Sequence, residues 1–121
     1  MLLEGMNLKV LNKDRIKALL EKARFLEKKI RECNRIREGI YEILIESETS
    51  NQVYSIYIDL YRFIFICECY DYLMQNMDYP DMVVGSKKVY FCKHLMSSLV
   101  YIAKHKKEVL AEILLSKLER L

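Results

Sequence analysis

The chain has 121 residues, a net charge of +3 and 52% apolar against 31% charged residues. That is the size of one domain, too apolar for disorder and too charged for a membrane protein. The longest stretches free of acidic and basic residues, 49–58 and 94–103, are about half of the roughly 20 residues a bilayer span needs, so no membrane association is expected. Glu4 interrupts the N-terminus before any apolar run resembling a secretory leader forms, and the four cysteines, Cys33, Cys67, Cys69 and Cys92, lack the spacing of a disulfide framework or zinc module. These features lead us to expect a reducing, cytoplasmic location.

With three glycines and one proline the chain has few places to turn, which implies long elements. Asn12 is a candidate N-cap. From there Ile16, Leu19, Ala23, Leu26, Ile30, Cys33, Ile40 and Leu44 recur at three-four spacing, predicting a first helix over about 12–46, with a gap at Arg37 and a weak point at Gly39. After the polar break from Ser47 to Gln52, the spacing of Val53, Ile56, Leu60, Phe63, Cys67, Tyr70, Met74 and Met77 predicts a second helix over about 50–77. Residues 53–67 are also rich in β-branched and aromatic types, as strands are. The helix is preferred because no turn residue interrupts the run for more than twenty positions. Residues 78–86, with Pro80 and Asp81 suited to a type I turn, read as the one loop. A third helix is expected over about 87–120, or two shorter ones if the chain breaks near Lys104–Lys107.

These elements predict a single all-α domain, an antiparallel up-down-up bundle of three long helices with coiled-coil-like seams, or of four helices if the last one breaks. Arg37 and Asp59, facing the shared turn between the first two helices, are expected to meet.

No catalytic set can be assembled. There is no phosphate-binding glycine loop and no nucleophile elbow, and the two histidines, His94 and His105, lie about 16 Å apart along one helix. On a helix, Cys67 and Cys69 diverge by about 200° and read as small buried hydrophobes. Cys92, beside Lys93 and His94, is the best candidate for a reactive thiol, though it sits on the apolar stripe. We therefore expect no enzyme activity, cofactor, metal site or small-molecule substrate.

The charge is uneven: residues 1–48 carry 11 basic and 9 acidic side chains, residues 49–85 carry 1 and 5, and residues 86–121 carry 8 and 3. More apolar surface is present than three helices cover, which favours a protein–protein interaction or assembly module, self-associating or bound to another helical protein. Its candidate contacts are Phe25, Tyr54, Tyr57 and Tyr61, the tyrosines forming a helical ridge, with Met82, Val83 and Val84 in the loop. The alternative is a nucleic-acid-binding accessory protein using Arg24, Lys28, Arg31, Arg35, Lys104, Lys106 and Lys107.

Overall fold

A computed structural model describes residues 7–75 and 78–121. It corrects the all-helical expectation: the described residues form seven strands in two antiparallel sheets together with four helices. The larger sheet has the order β2-β3-β4-β5, built from Ile30–Arg37, Ile40–Glu46, Val53–Asp59 and Ile64–Cys67. The smaller sheet joins β1 (Leu8–Val10), β6 (Met82–Val84) and β7 (Lys87–Val89) in the order β1-β6-β7. The helices are α1 (Lys13–Leu26), α2 (Tyr70–Leu73), α3 (Lys93–His105) and α4 (Val109–Glu119).

The predicted first helix is thus a helix followed by a hairpin. Asn12 caps α1 by accepting the Arg15 amide, and a 3-10 turn at Glu27–Lys29 leads into β2. Along β3 the alternation is that of a half-buried strand: Tyr41, Ile43 and Ile45 are buried while Glu42 is exposed. Half of the residues of the edge strand β2 are charged, and two irregularities in its register with β3 accompany that charge. Both features discourage edge-to-edge pairing. They also explain why a polar stripe in this region imitated the solvated face of a helix. Gly39 makes the β2–β3 turn at φ +79°, where a side chain would strike the Tyr61 ring.

The predicted second helix is β4, a turn, β5 and the short α2. The turn contains neither glycine nor proline. Asp59, fully buried, folds it by accepting the amides of Tyr61 and Arg62 and the Arg62 guanidinium. Phe63 completes it in the left-handed region. Burial alone would raise the Asp59 pKa, but those hydrogen bonds hold it below its ordinary value. Arg62 thus takes the place expected of Arg37, which is exposed on β2.

The expected loop at 78–86 contains β6, and residues 87–89, assigned to the third helix, form β7. That helix begins only at Lys93 and breaks at Lys106–Glu108, with Lys107 at φ +55°. Eight of the thirteen residues of α3 are buried, with α1 and α4 packed beside it and β4 and β5 beneath. A helix apolar on most faces belongs in the middle of a core, and α3 occupies that place. Among the described residues, no helix is long and apolar enough to cross a membrane.

Glu108 ties the second half of the chain to the first. Buried at the start of α4, it accepts the Gly39 amide and the Tyr41 hydroxyl on one oxygen and the Leu110 amide on the other. Burial and the adjacent carboxylate push the Tyr41 phenol well above its ordinary pKa. Glu108→Ala would strand two buried donors and remove a helix cap, so a loss of about 2–4 kcal/mol is expected. Urea unfolding curves compared with those of Glu108→Gln, which keeps an acceptor, would measure it.

Candidate metal centre

Correcting residues 64–67 from helix to strand changes what Cys67 and Cys69 can do. Cys67 ends β5 on its buried side, paired in register with Ile56. The chain then turns, and Cys69 becomes the N-cap of α2, its amide donating to Cys67 Sγ at 3.4 Å. From the other half of the chain, Cys92 caps α3 and its Sγ accepts the Leu95 amide at 3.4 Å. His94 follows in the first turn of the same helix. The ligand atoms of Cys67, Cys69, Cys92 and His94 all lie within 4.8 Å of one another, and all four side chains are buried.

The arrangement is specific about which atoms face inward. His94 Nε2 is 2.8 Å from Glu48 Oε1, which places the ring proton on Nε2. Nδ1 is left buried without a hydrogen-bond partner. Lys93 pairs with the other oxygen of Glu48, and the Tyr54 ring packs against the imidazole at 5.1 Å between centroids. Glu48 comes from the β3–β4 connection, so three separate parts of the chain converge here.

The cluster is electrostatically unbalanced. Hydrogen bonding with Cys67 and Cys92 drives the Cys69 thiol far below its usual range despite burial, while hydrogen bonding with Cys67 and Cys69, together with burial, drives Cys92 far above its own. Burial by itself would lower the His94 pKa, but the sulfurs of Cys67 and Cys69 and the Glu48 carboxylate favour imidazolium and raise it to about 10. Three sulfurs in one dry pocket cannot all ionise unless positive charge is supplied among them.

Four ligands of this kind fit one thiophilic divalent ion. Tetrahedral zinc holds sulfur at about 2.3 Å and imidazole nitrogen at about 2.0–2.1 Å, so ligand atoms around it stand about 3.8 Å apart. The widest separation here is within about 1 Å of that geometry. A two-iron cluster would need its ligands divided between two irons, a wider arrangement than this one. Completing the set with four protein ligands leaves no position for water or substrate, as in structural rather than catalytic zinc sites.

The side chains expected to form a contact ridge are dispersed. Tyr54 turns inward onto His94, Tyr57 lies on the opposite face of β4, and Tyr61 sits in the β4–β5 turn against Gly39. Met82 and Val84 are buried in β6 and Val83 is partly so, while Phe25 is 73% exposed at the end of α1. Of the basic set, Arg24 pairs with Glu119, Arg31 with Glu46 and Lys104 with Glu27. Lys28 and Arg35 are exposed, as are Lys106 and Lys107 in the break between α3 and α4. Glu48 carries no motif that marks it in the sequence as a partner of His94. The signal for the cluster was a Cys-x-Cys pair followed after 22 residues by Cys-x-His. On strands and at helix starts such i, i+2 pairs can converge; on the long helices expected there they diverge. No family model, curated protein or solved structure matches the chain.

Proposed function

We propose that this chain is a non-enzymatic, metal-stabilised module in which Cys67, Cys69, Cys92 and His94 hold one zinc ion. The observation that carries the reading is the convergence of three buried sulfurs on a buried imidazole nitrogen that has no other partner. When bound, zinc would neutralise the thiolates and cross-link the end of β5 and the start of α2 to the start of α3. Thiolate ligands have to stay reduced, which favours the cytoplasmic setting read from the cysteine pattern.

The test is metal content and spectroscopy. Protein purified under reducing conditions should carry one zinc per chain, and cobalt substitution should produce the intense visible bands of a tetrahedral, thiolate-rich site. Fully folded protein with negligible bound metal, and no such bands after cobalt addition, would reject the reading.

Glu48 should tune the affinity by orienting His94. Carboxylate partners of metal-bound histidines contribute roughly 10–100-fold to binding. Glu48→Ala is expected to weaken zinc by that factor in competition with a chromogenic chelator. Glu48→Gln, which still accepts from Nε2–H, should retain most of the affinity, and an unchanged constant in both would show Glu48 to be irrelevant to the metal.

A further inference from the structure

The cluster holds three sulfurs, and any two of them are close enough to become a disulfide. All four cysteines of the chain are free thiols. The ligand atoms of Cys67, Cys69 and Cys92 lie within 4.8 Å of one another, and an S–S bond is about 2.05 Å long, so no pair has more than about 3 Å to close. Cys33, on β2, stands outside the group.

Exposure decides which sulfur meets an oxidant first. Cys69 is 3% exposed, whereas Cys67 and Cys92 are fully buried. Cys69 also starts α2, none of whose four residues is buried. Besides the Tyr72 ring, which packs on the core, α2 is tied down by Asp71 with Arg15 and the Tyr90 hydroxyl, and by the Tyr72 hydroxyl on the Phe65 carbonyl. Segments with few buried contacts open at the least cost. An opening here uncovers Cys69 before Cys67, which is paired in β5, and before Cys92, which caps α3. Backbone geometry decides the partner. Cys67 and Cys69 are separated only by Glu68, one ending a strand and the other starting a helix, so joining them closes a small ring that both elements resist. Cys92 arrives from the other half of the chain, so its sulfur closes on Cys69 with no such constraint.

We infer that Cys69 and Cys92 are a peroxide-sensitive pair whose disulfide takes the place of zinc as the link between the start of α2 and the start of α3. The Cys69 thiolate attacks one peroxide oxygen: an S–O bond forms, the O–O bond breaks, and the departing hydroxide takes up a proton as water. The Cys92 thiolate then attacks Cys69 Sγ; the S–S bond forms and the S–O bond breaks, releasing hydroxide. The two sulfurs give up two electrons and the peroxide accepts them. Cys67 and His94 alone cannot complete a tetrahedral site, so zinc, which has no redox chemistry of its own, leaves as the hydrated ion. The release of zinc rests on the metal reading, while the disulfide rests only on the positions of the sulfurs. A dithiol reductant reverses the exchange and restores the ligand set.

The full chain, loaded with zinc and freed of reductant, is treated with one equivalent of hydrogen peroxide, quenched with catalase, alkylated and mapped by non-reducing peptide mass spectrometry. A chromogenic chelator follows zinc in the same samples. Zinc release should track the loss of two thiols per chain, found as a disulfide between Cys69 and Cys92, with Cys33 and Cys67 still alkylated. Dithiothreitol with added zinc should restore both thiols and metal. Cys33→Ser should give the same yields, and Cys92→Ser should instead accumulate a sulfenic acid on Cys69 that dimedone traps. Zinc retained with all four thiols intact, a disulfide between Cys67 and Cys69, or sulfinic acid at Cys69 without a disulfide would each overturn the inference and leave the metal reading standing. The same Cys69 to Cys92 disulfide in a chain shown to bind no zinc would support the redox pair and sink the metal reading instead.

Discussion

Removing the zinc proposed at the cysteine cluster with a chelator is expected to lower the Tm of the reduced protein by roughly 10–20 °C without abolishing the fold. A ligand bound only by the folded state stabilises it by about 4 kcal/mol when its free concentration is a thousandfold above Kd. For a domain of this size each kcal/mol corresponds to roughly 3–5 °C. The effect should be smaller than in a zinc finger, which is unfolded without its ion. Here α3, β3 and β4 form an apolar core that includes fully buried Ile43, Ile45, Ile56, Ile58, Leu95, Met96 and Leu99, none of them dependent on the metal. Cys92→Ser isolates the contribution. Serine is a good N-cap and can still accept the Leu95 amide, so α3 keeps its start and only the ligand is lost. In zinc-containing buffer Cys92→Ser should melt well below the wild type; in chelator the difference should nearly vanish. A gap of equal size in both buffers would mean that Cys92 acts through packing alone. Because binding displaces protons from thiols and imidazole, the zinc-dependent gap should also narrow as the solution is acidified.

How much of this was legible depends on which residues carry the turns. The break from Ser47 to Gln52 and the cap at Asn12 are written in polar residues with known local chemistry, and the structure has a strand connection and a helix start there. The hairpin between β4 and β5 is not written that way. Its turn is held by the buried Asp59 carboxylate and by Phe63 in a left-handed conformation, neither of which a scan for glycine and proline detects. Once that turn is missed, two strands of alternating pattern merge into one apparent helix. Ile56 and Cys67, which face each other across the hairpin, then look like two points on a three-four stripe. The error passes directly to the site, because Cys67 and Cys69 converge only if one ends a strand and the other starts a helix. Gly39 was visible as an irregularity, but its positive φ belongs to a β-turn and not to a bend in a helix. Lys107 likewise supports the break in the last helix with no glycine to mark it.

The second large effect is expected at Arg15. Its guanidinium donates to Asp81 Oδ2 at 2.6 Å, the Phe91 carbonyl at 2.7 Å and the Tyr90 hydroxyl at 2.9 Å, while its plane lies over the Tyr90 ring. Asp81 is fully buried, takes the Phe91 amide on the same oxygen, and has no partner for Oδ1. Its backbone carbonyl also receives the Leu11 and Asn12 amides, so the pair joins the start of α1 to the smaller sheet and to the approach to α3. Removing one partner of a buried ion pair costs roughly 3–5 kcal/mol, largely because the other charge is left stranded. Arg15→Ala should therefore be among the most destabilising single substitutions at neutral pH. The double variant Arg15→Ala with Asp81→Asn should recover part of the loss, since no buried charge then remains. The pH dependence follows from Asp81 itself. Burial outweighs the Phe91 amide and Arg15 and raises its folded pKa above the ordinary 3.8. A carboxyl whose folded pKa is raised favours the folded state most when protonated, and that contribution is lost as pH rises through the folded value. Without Arg15 the value should rise further, so the Arg15→Ala penalty should be greatest near neutrality and shrink on acidification toward the ordinary carboxylate range. Urea unfolding of wild type, single and double variants at neutral and mildly acidic pH measures this. A penalty independent of pH, with no recovery in the double variant, would locate the role of Arg15 in its packing on Tyr90 instead of its charge.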